Sequence, residues 1–258
     1  MSLFRKPIIG VDKRLLVKDA TKLMPELSRR RFLSGGASLG ALTLLTGCEV
    51  SESMSAENLL THISKFNDKV QAAIFNPNAL APTYPSSAIT RPFPFNAYYT
   101  LDDAPEVEEK DWQLEVTGLV ENTRPWKLDE LYALPQETQI TRHICVEGWS
   151  AIGSWTGVRL SEFLKRVGAD TRAKYVWFRC AEGYTTSIDM QTALHPQTQM
   201  TFKFDGEILP KAYGYPMKVR IPTRLGFKNP KYVVSLDVSN DYKGGYWEDQ
   251  GYNDYSGL

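Results

Sequence analysis

The sequence predicts an α+β fold with mixed, largely antiparallel sheets and short helices. Segments with a strand pattern outnumber helical segments from Trp112 onward. The helical segments are also too short and too irregularly placed for a regular succession of β-α-β units. With 258 residues, 42% of them apolar, the chain can bury the core of one large domain or two small ones.

Two segments precede the strand-rich region. A stripe of apolar side chains at helical spacing predicts a helix over residues 51–70, and we expect this stripe to pack against the domain. Five prolines from Pro77 to Pro94 fix φ repeatedly and remove backbone donors, which predicts an extended arm over the domain surface. The stripe consists of Leu59, Leu60, Ile63, Phe66 and Val70.

End signals and alternation define the other elements. Ser161 as N-cap and Gly168 after the last turn predict a helix over 161–168, and Pro135 ends another over 128–134. Asp205-Gly206 is a hairpin turn dipeptide. No internal repeat is apparent. Strands are predicted over 112–116, 139–144, 174–180, 185–190, 200–204, 207–209, 218–221 and 232–238.

Composition excludes several classes of protein. The chain has 30 basic and 30 acidic residues, so it lacks the basic surface with which nucleic-acid binders displace counterions. Its three cysteines, Cys48, Cys145 and Cys180, cannot form a disulfide scaffold. The three histidines lie far apart in sequence and no Cys-x-x-Cys pair occurs, so a structural zinc site is poorly supported.

Residues 1–47 carry the pattern of an export signal. Three arginines precede Phe32-Leu33, and an uncharged run from Gly35 to Gly47 stops at Cys48, short of the roughly 20 residues that a spanning helix needs. The arginines resemble the twin-arginine signal, whose route exports folded proteins to the periplasm. Leu-Thr-Gly-Cys at 45–48 resembles a lipobox, which implies a lipid anchor on Cys48. An unmodified cysteine near an ordinary cleavage site is the alternative.

The densest group of reactive side chains spans residues 142–150. Cys145 follows a predicted strand and precedes a glycine-containing loop, so it should lie at a sheet edge that a ligand can reach. Three roles are open to it: a buried structural thiol, a nucleophile with His143 as base, or a thiolate ligand to a soft or high-valent metal.

Five ordered blocks resemble the molybdopterin-binding domain of the sulfite oxidase superfamily. They are most similar to the exported branch that includes the catalytic subunit of bacterial periplasmic methionine sulfoxide reductase. The resemblance implies a sulfite-oxidase-type fold, with residues 48–95 as helix and arm and 96–258 as the catalytic domain. The blocks are CVEGWS at 145–150, WTGVRL at 155–160, GEILP at 206–210, GYPMKVRIP at 214–222 and GFKNPK at 226–231.

By this resemblance, Cys145 is the protein's ligand to molybdenum, beside the two sulfurs of one molybdopterin (a pyranopterin dithiolene). Lys231 is the implied charge partner of the cofactor's phosphate, with Lys228 as the nearby alternative. For the arm positions 96–100 an ordinary turn is the alternative. The cofactor-binding positions that the resemblance implies are Asn96, Tyr99, Thr100, Cys145, Cys180, Tyr213, Lys218, Asn229, Pro230 and Lys231.

Three of these positions depart from the branch. Cys180 stands where Thr is usual, Tyr213 where Asn or His is usual, and Lys218 where Arg is usual. Lysine keeps the charge but loses the bidentate fork of arginine. Cys180 is alternatively a plain core thiol.

The residues after Cys145 favour a neutral substrate. Sulfite-oxidising and nitrate-reducing relatives carry arginine there, whereas positions 146–150 hold Glu147 and no arginine. Nine basic and three acidic residues precede Cys48, so the chain from Cys48 on has a net charge of −6, which also disfavours anions. Arg142 and Arg224 could offset the effect of Glu147.

The expected activity is therefore removal of an oxygen atom from a sulfoxide or N-oxide. Glu147 is a candidate catalytic residue that gives a proton to the oxygen leaving as water, and a solvated surface acid is the alternative. No haem-attachment motif is present, and the family implies a membrane-bound b-type cytochrome as electron donor. Two other functions remain: a sulfite dehydrogenase of the same superfamily, and a non-catalytic lipoprotein that retained the fold.

Overall fold

The computed structural model describes residues 56–97 and 99–258. The predicted export signal, the lipobox cysteine Cys48 and residues 51–55 of the first predicted helix lie outside these residues. Nearly all described residues belong to one compact unit, Asn58–Leu258. Within this part of the chain, no helix has both the length and the apolar character needed to cross a membrane.

The described residues form four α-helices and ten strands. In chain order they are α1 (Ala56–Ile74), β1 (Gln113–Gly118), β2 (Trp126–Lys127), α2 (Leu128–Tyr132), β3 (Glu137–Ile144), β4 (Ser150–Arg159), α3 (Leu160–Arg166), β5 (Tyr175–Cys180), β6 (Thr185–Asp189), α4 (Met190–Leu194), β7 (Gln199–Phe204), β8 (Glu207–Ile208), β9 (Lys218–Arg220) and β10 (Val233–Ser239).

The strands form two five-stranded sheets. Sheet I has the order β2-β1-β10-β5-β6, and sheet II has the order β3-β4-β7-β8 with β9 paired to β7. Only the β1–β10 pair is parallel among these strands. The predicted α+β class with mixed, largely antiparallel sheets is therefore confirmed.

The main hydrophobic core takes side chains from both sheets and from α3. Leu114 and Leu236 of sheet I, Phe163 of α3, and Met200 and Phe202 of sheet II are all completely buried in it. Burial of side chains of this size stabilises the fold by about 1.5–3 kcal/mol each. The core thereby fixes the two sheets as one support for the loops at their edges.

The proline-rich arm is held along sheet II. Its backbone amides at Tyr84 and Thr90 donate to the carbonyls of Ile140 (3.0 Å) and Ile152 (2.9 Å). Phe93 is buried, with its ring centroid 5.3 Å from that of Trp155. The arm therefore enters the domain through Phe93 just before the predicted cofactor positions begin at Asn96.

Most predicted strands match to within two residues at each end, and the Asp205-Gly206 turn joins β7 to β8, with φ of 49° and 91°. The N-cap assigned to Ser161 was wrong, because α3 begins at Leu160 with Arg159 as N-cap. Leu160 is fully buried, and core packing recruits it into the first turn.

Strand β4 was missed because its sequence, SAIGSWTGVR, has two glycines and no clean alternation. Gly157 permits the close approach of β7: a Cβ at this position would lie 1.9 Å from the Met200 carbonyl oxygen. The strand lies between β3 and β7, so burial and pairing on both sides decide its conformation.

Helix α1 exists, but the prediction that its apolar stripe packs against the domain was wrong for the three stripe residues whose side chains the structure describes. Ile63, Phe66 and Val70 are 48%, 46% and 41% exposed. The polar face docks instead: the Asp68 carboxylate accepts from the amides of Asp254 and Tyr255, both at 2.9 Å. From Ile63 to Ile74, the helix therefore presents apolar side chains to the outside.

Candidate functional site

A cavity of about 270 Å³ lies beside the end of β3. Both sheets contribute to it through hairpin turns, and the rest of its wall comes from the arm, the segment before β10 and the carboxyl-terminal segment. Its lining residues are Asn96, Ala97, Tyr99, Cys145, Val146, Glu147, Glu182, Tyr184, Gly226, Phe227, Asn229, Pro230, Lys231 and Trp247.

The β3–β4 turn places Cys145 in this cavity. The Cys145 amide donates to the Trp149 carbonyl (2.9 Å), and the Gly148 amide donates back to the Cys145 carbonyl (3.1 Å). Gly148 has φ of +89°, a conformation that glycine adopts without steric cost. Burial raises the pKa of the Cys145 thiol, so a bound cation is needed to hold it as a thiolate at neutral pH.

The contacts of Cys145 bear on its other possible roles. Its Sγ lies 3.6 Å from Glu147 Oε2, which also accepts a hydrogen bond from the Trp149 indole at 2.9 Å. His143 points elsewhere, with Nε2 3.3 Å from the Asn96 amide nitrogen. Among the described contacts, none joins His143 to the thiol, and burial lowers the pKa of His143 well below its ordinary value. This arrangement does not resemble a cysteine–histidine nucleophile pair.

The β5–β6 hairpin repeats the turn that carries Cys145. The Cys180 amide donates to the Tyr184 carbonyl (2.9 Å), the Gly183 amide donates to the Cys180 carbonyl (3.1 Å), and Gly183 has φ of +86°. The sequences correspond as well: Cys-Val-Glu-Gly-Trp at 145–149 and Cys-Ala-Glu-Gly-Tyr at 180–184. This correspondence covers five residues and was not identified in the sequence analysis.

The repeated turn brings Glu182 and Tyr184 into the cavity. Neither residue was identified from sequence, although the recurrence of Cys-x-Glu-Gly before an aromatic residue is a signal that finds both. Cys180 itself is 1% exposed and belongs to the main core, where burial raises its pKa well above the ordinary value.

The segment before β10 supplies three predicted residues, Asn229, Pro230 and Lys231, all of which line the cavity. The Asn229 side-chain oxygen accepts from the Arg220 guanidinium (2.6 Å) and the Ile221 amide (2.7 Å), so it shapes the segment. The Lys231 ammonium donates to the Asn96 carbonyl at 2.8 Å.

Lys228, the alternative phosphate partner, points away from the cavity. Its ammonium donates to the Ser187 carbonyl (2.6 Å) and forms an ion pair with Glu248, and both side chains are almost fully buried. Lys231 is therefore the lysine of this segment that a cofactor in the cavity would meet.

Of the three predicted arm residues, two line the cavity and one does not. Asn96 and Tyr99 line the cavity. Thr100 does not, since its hydroxyl donates to the Asp103 carboxylate at 2.5 Å in an exposed turn. Tyr213 also lies outside the lining: its hydroxyl donates to the Phe93 carbonyl (2.8 Å), and its ring packs on Phe93. It holds the arm in place.

A cluster of buried cations lies next to the cavity. Lys218 and Arg220 are 2% and 1% exposed and stand 5.1 Å and 5.4 Å from the Trp155 ring. Burial lowers the pKa of Lys218 well below its ordinary value, that of Arg220 to about 9 and that of Lys231 to about 8. In residues 56–97 and 99–258, no carboxylate forms an ion pair with any of the three.

Arg142 and Arg224 line a different cavity, between the end of α1, the arm and the carboxyl-terminal segment. Arg224 is fully buried there, with an ion pair to Asp189 (3.3 Å). Neither arginine is in the lining of the Cys145 cavity. In the described cavity wall, these two arginines therefore do not offset the negative charge of Glu147 for an anionic substrate.

Comparison with known proteins shows which proteins this chain resembles. A family described as "Oxidoreductase molybdopterin binding domain" matches residues 102–247. The "Putative protein-methionine-sulfoxide reductase subunit YedZ1" of Azospira oryzae is 56% identical over 98% of this chain and 97% of its own. The "Protein-methionine-sulfoxide reductase catalytic subunit MsrP" of Ralstonia nicotianae is 32% identical over 56% of this chain, and the match spans about half (48%) of that relative.

A solved structure shares the fold. The sulfane dehydrogenase SoxCD from Paracoccus pantotrophus aligns with a TM-score of 0.51 at 23% identity, over 54% of this chain and 40% of that one. The sulfite-oxidase-type fold expected from the sequence blocks is consistent with this likeness.

The residues around the cavity fit an anionic cofactor such as molybdopterin. Three buried cations without carboxylate partners suit a phosphate. Two buried atoms of the cluster, His143 Nδ1 and Arg220 Nε, have no hydrogen-bond partner within the described protein. At Gly226 a Cβ would lie 2.6 Å from His143 Nε2, so glycine keeps the floor of the cavity open.

Proposed function

The chain belongs to the family of molybdopterin-binding oxidoreductases, and on that premise we propose that it reduces methionine sulfoxide in proteins. The family cofactor is molybdenum bound to molybdopterin. The names of the Azospira and Ralstonia relatives support the substrate. Removal of the sulfoxide oxygen returns the thioether of methionine and water.

One observation carries the choice of substrate. Apart from Lys231, which is implied to hold the cofactor, the charged residues of the cavity wall are Glu147 and Glu182, and no arginine lines the wall among the described residues. A wall without arginine offers sulfite or nitrate no guanidinium partner. The aromatic side chains of Tyr184, Phe227 and Trp247 suit the polarizable sulfur and methyl group of a methionine side chain. A neutral sulfoxide fits this wall better than an anion does.

Within this function, Cys145 is the protein's ligand to molybdenum. Asn96, Tyr99, Asn229, Pro230 and Lys231 would hold the molybdopterin, since all five line the same cavity. Lys218, which is buried next to the cavity, would contribute positive charge towards the anionic cofactor. The bound cofactor supplies the oxygen-atom acceptor and the two electrons of the reduction. Cys180, Tyr213 and Thr100 would shape the surroundings of the cofactor from outside the cavity lining.

Glu147 would serve as a proton donor for the departing oxygen. It lies beside Cys145, and the Trp149 indole fixes one of its oxygens by a 2.9 Å hydrogen bond. This hydrogen bond orients the carboxyl group in the cavity wall, where it would face a bound substrate.

The proposal includes a location and an electron donor. The signal pattern supports twin-arginine export to the periplasm, and the lipobox supports a lipid on Cys48. The apolar side of α1, which begins eight residues later, faces outward and suits the bilayer surface. A protein held there can receive electrons from a membrane-bound b-type cytochrome, in keeping with the "subunit" of the Azospira name.

The substrate assignment is tested with full-length protein from a host that makes the cofactor. A peptide containing methionine sulfoxide should oxidise a reduced viologen dye in the presence of the enzyme, because the dye replaces the cytochrome. Sulfite should not reduce an oxidised dye, since no arginine of the described cavity wall is available to bind it. Sulfite-dependent dye reduction without sulfoxide turnover would instead identify a sulfite dehydrogenase.

A further inference from the structure

The two hairpins that line the cavity differ in what their aromatic residue does. In the first, the Trp149 indole donates to Glu147 Oε2 at 2.9 Å. In the second, the Tyr184 hydroxyl donates to the Phe227 carbonyl at 2.6 Å and so leaves the glutamate of its own turn. Two glutamates at equivalent positions therefore have different surroundings.

Glu182 has a carboxyl group in the cavity wall to which no neighbouring side chain donates a hydrogen bond. It lines the cavity, and its Oε2 is buried without a hydrogen-bond partner. The nearby Lys231 ammonium is directed to the carbonyls of Asn96 (2.8 Å) and Ala212 (3.4 Å). A carboxylate oxygen that is buried without a donor makes the charged form costly, and protonation removes that cost.

The charged and titratable groups around Glu182 come from three elements. Cys180 precedes it on β5, Lys231 and Tyr232 precede β10, and Cys145 and Glu147 share the cavity from the other hairpin. Burial raises the pKa of Glu182 to about 7, although its own backbone amide and Lys231 lower it. The carboxyl group thus carries a proton in a large part of the molecules at neutral pH.

We propose that Glu182 is the second acid of the site and delivers one of the two protons that turn the departing oxygen into water. This inference rests on the proposed function. Reduction of a sulfoxide breaks the S=O bond, consumes two electrons and two protons, and releases the thioether and water. When bound, the molybdenum cofactor would supply the two electrons, and the proposed membrane-bound donor would restore them. Glu147 gives one proton and Glu182 the other, and both recover a proton from solvent water.

The kinetic test uses the full-length holoenzyme with peptide methionine sulfoxide and a reduced viologen dye. Rates are expressed per bound molybdenum, so that any loss of cofactor does not count. Glu182→Gln should lower kcat by about 10²- to 10⁴-fold, while KM changes less than about threefold, because the amide keeps the shape but cannot release a proton. Glu182→Asp should restore part of the rate. Glu162→Gln on the exposed side of α3 is the matched control and should leave kcat unchanged.

The pH profile provides a second readout. An acid must be protonated to act, so kcat/KM of the wild type should fall as the pH rises through about 7, the value for Glu182. This fall should be absent from the residual activity of Glu182→Gln. A variant that keeps both the wild-type rate per molybdenum and the alkaline fall would overturn the inference.

An infrared titration of the cofactor-free full chain tests Glu182 without any turnover. The carboxylic acid C=O band that disappears between mildly acidic and mildly alkaline pH should be weaker in Glu182→Gln and unchanged in Glu162→Gln. An unchanged band in Glu182→Gln would also overturn the inference. A wild-type holoenzyme that cannot reduce the sulfoxide would refute the proposed function instead, and the infrared band would still decide whether Glu182 holds a proton.

Discussion

Cys145 and Cys180 hold equivalent places in two matching turns, yet only Cys145 lines the cavity. Cys180 is 1% exposed in the main core, whereas Cys145 is 8% exposed at the sheet edge. The thiols therefore differ in access to a ligand, while the backbone around them is the same. Sequence alone left the role of Cys180 open, because the depth of a thiol depends on packing from other elements.

Lys218 is buried beside the cavity and has no carboxylate partner among the described residues, as suits a site that binds an anion. Its pKa lies well below the unfolded value of about 10.4, mainly because of burial. Between these two values the unfolded chain binds more protons than the folded chain, so the stability of the cofactor-free protein rises with pH in this window.

Lys218→Met should therefore stabilise the cofactor-free full chain by about 1–3 kcal/mol at neutral pH, because it removes a buried cation that has no carboxylate partner. The gain should shrink as the pH rises towards about 10. Urea unfolding at several pH values measures both effects. Lys203→Met at an exposed position of β7 is the control. A loss of stability at neutral pH in Lys218→Met would show that the buried charge of Lys218 does not destabilise the folded chain.

At the scale of elements, α1 is turned with its polar face inward. The amides of Asp254, Tyr255 and Gly257 donate to Asp68 and Gln71, each at 2.9 Å. Periodicity predicted the helix correctly but not which face would pack. Backbone amides of the carboxyl-terminal segment need acceptors, and that requirement cannot be read from the helix sequence.

Phe66→Glu tests the outward face of α1. The full chain should bind vesicles of phosphatidylethanolamine and phosphatidylglycerol about tenfold more weakly after this change, since a half-exposed aromatic ring would no longer enter the bilayer surface. Flotation in a density gradient measures the bound fraction. Asn67→Glu adds the same charge at an exposed neighbouring position, and equal binding by both variants would refute a membrane role for this face.

The sequence predicted site residues that lie together in one sequence block better than residues that only the fold brings together. Cys145 and the run from Asn229 to Lys231 lie in unbroken blocks, and each block carries its own pattern. Glu182 and Tyr184 enter the cavity only because β5 and β6 form a hairpin that meets the β3–β4 turn. Thr100 lies outside the cavity lining for the opposite reason: a local hydrogen bond to Asp103 turns it away.

At the scale of the whole molecule, positive and negative charges are distributed unevenly. The segment from Cys48 on is acidic overall, yet Lys218, Arg220 and Lys231 gather beside one cavity. Glu147, Glu182 and Lys231 line that cavity, and Lys218 and Arg220 lie next to it.

The central claim is that this cavity holds molybdenum through Cys145. Elemental analysis of the full chain from a cofactor-competent host should find about one molybdenum atom per chain. Cys145→Ser should lose the metal, and Cys180→Ser, the same substitution in the twin turn, should keep it. Absence of molybdenum from the wild type, or equal metal in the wild type and Cys145→Ser, would contradict the claim.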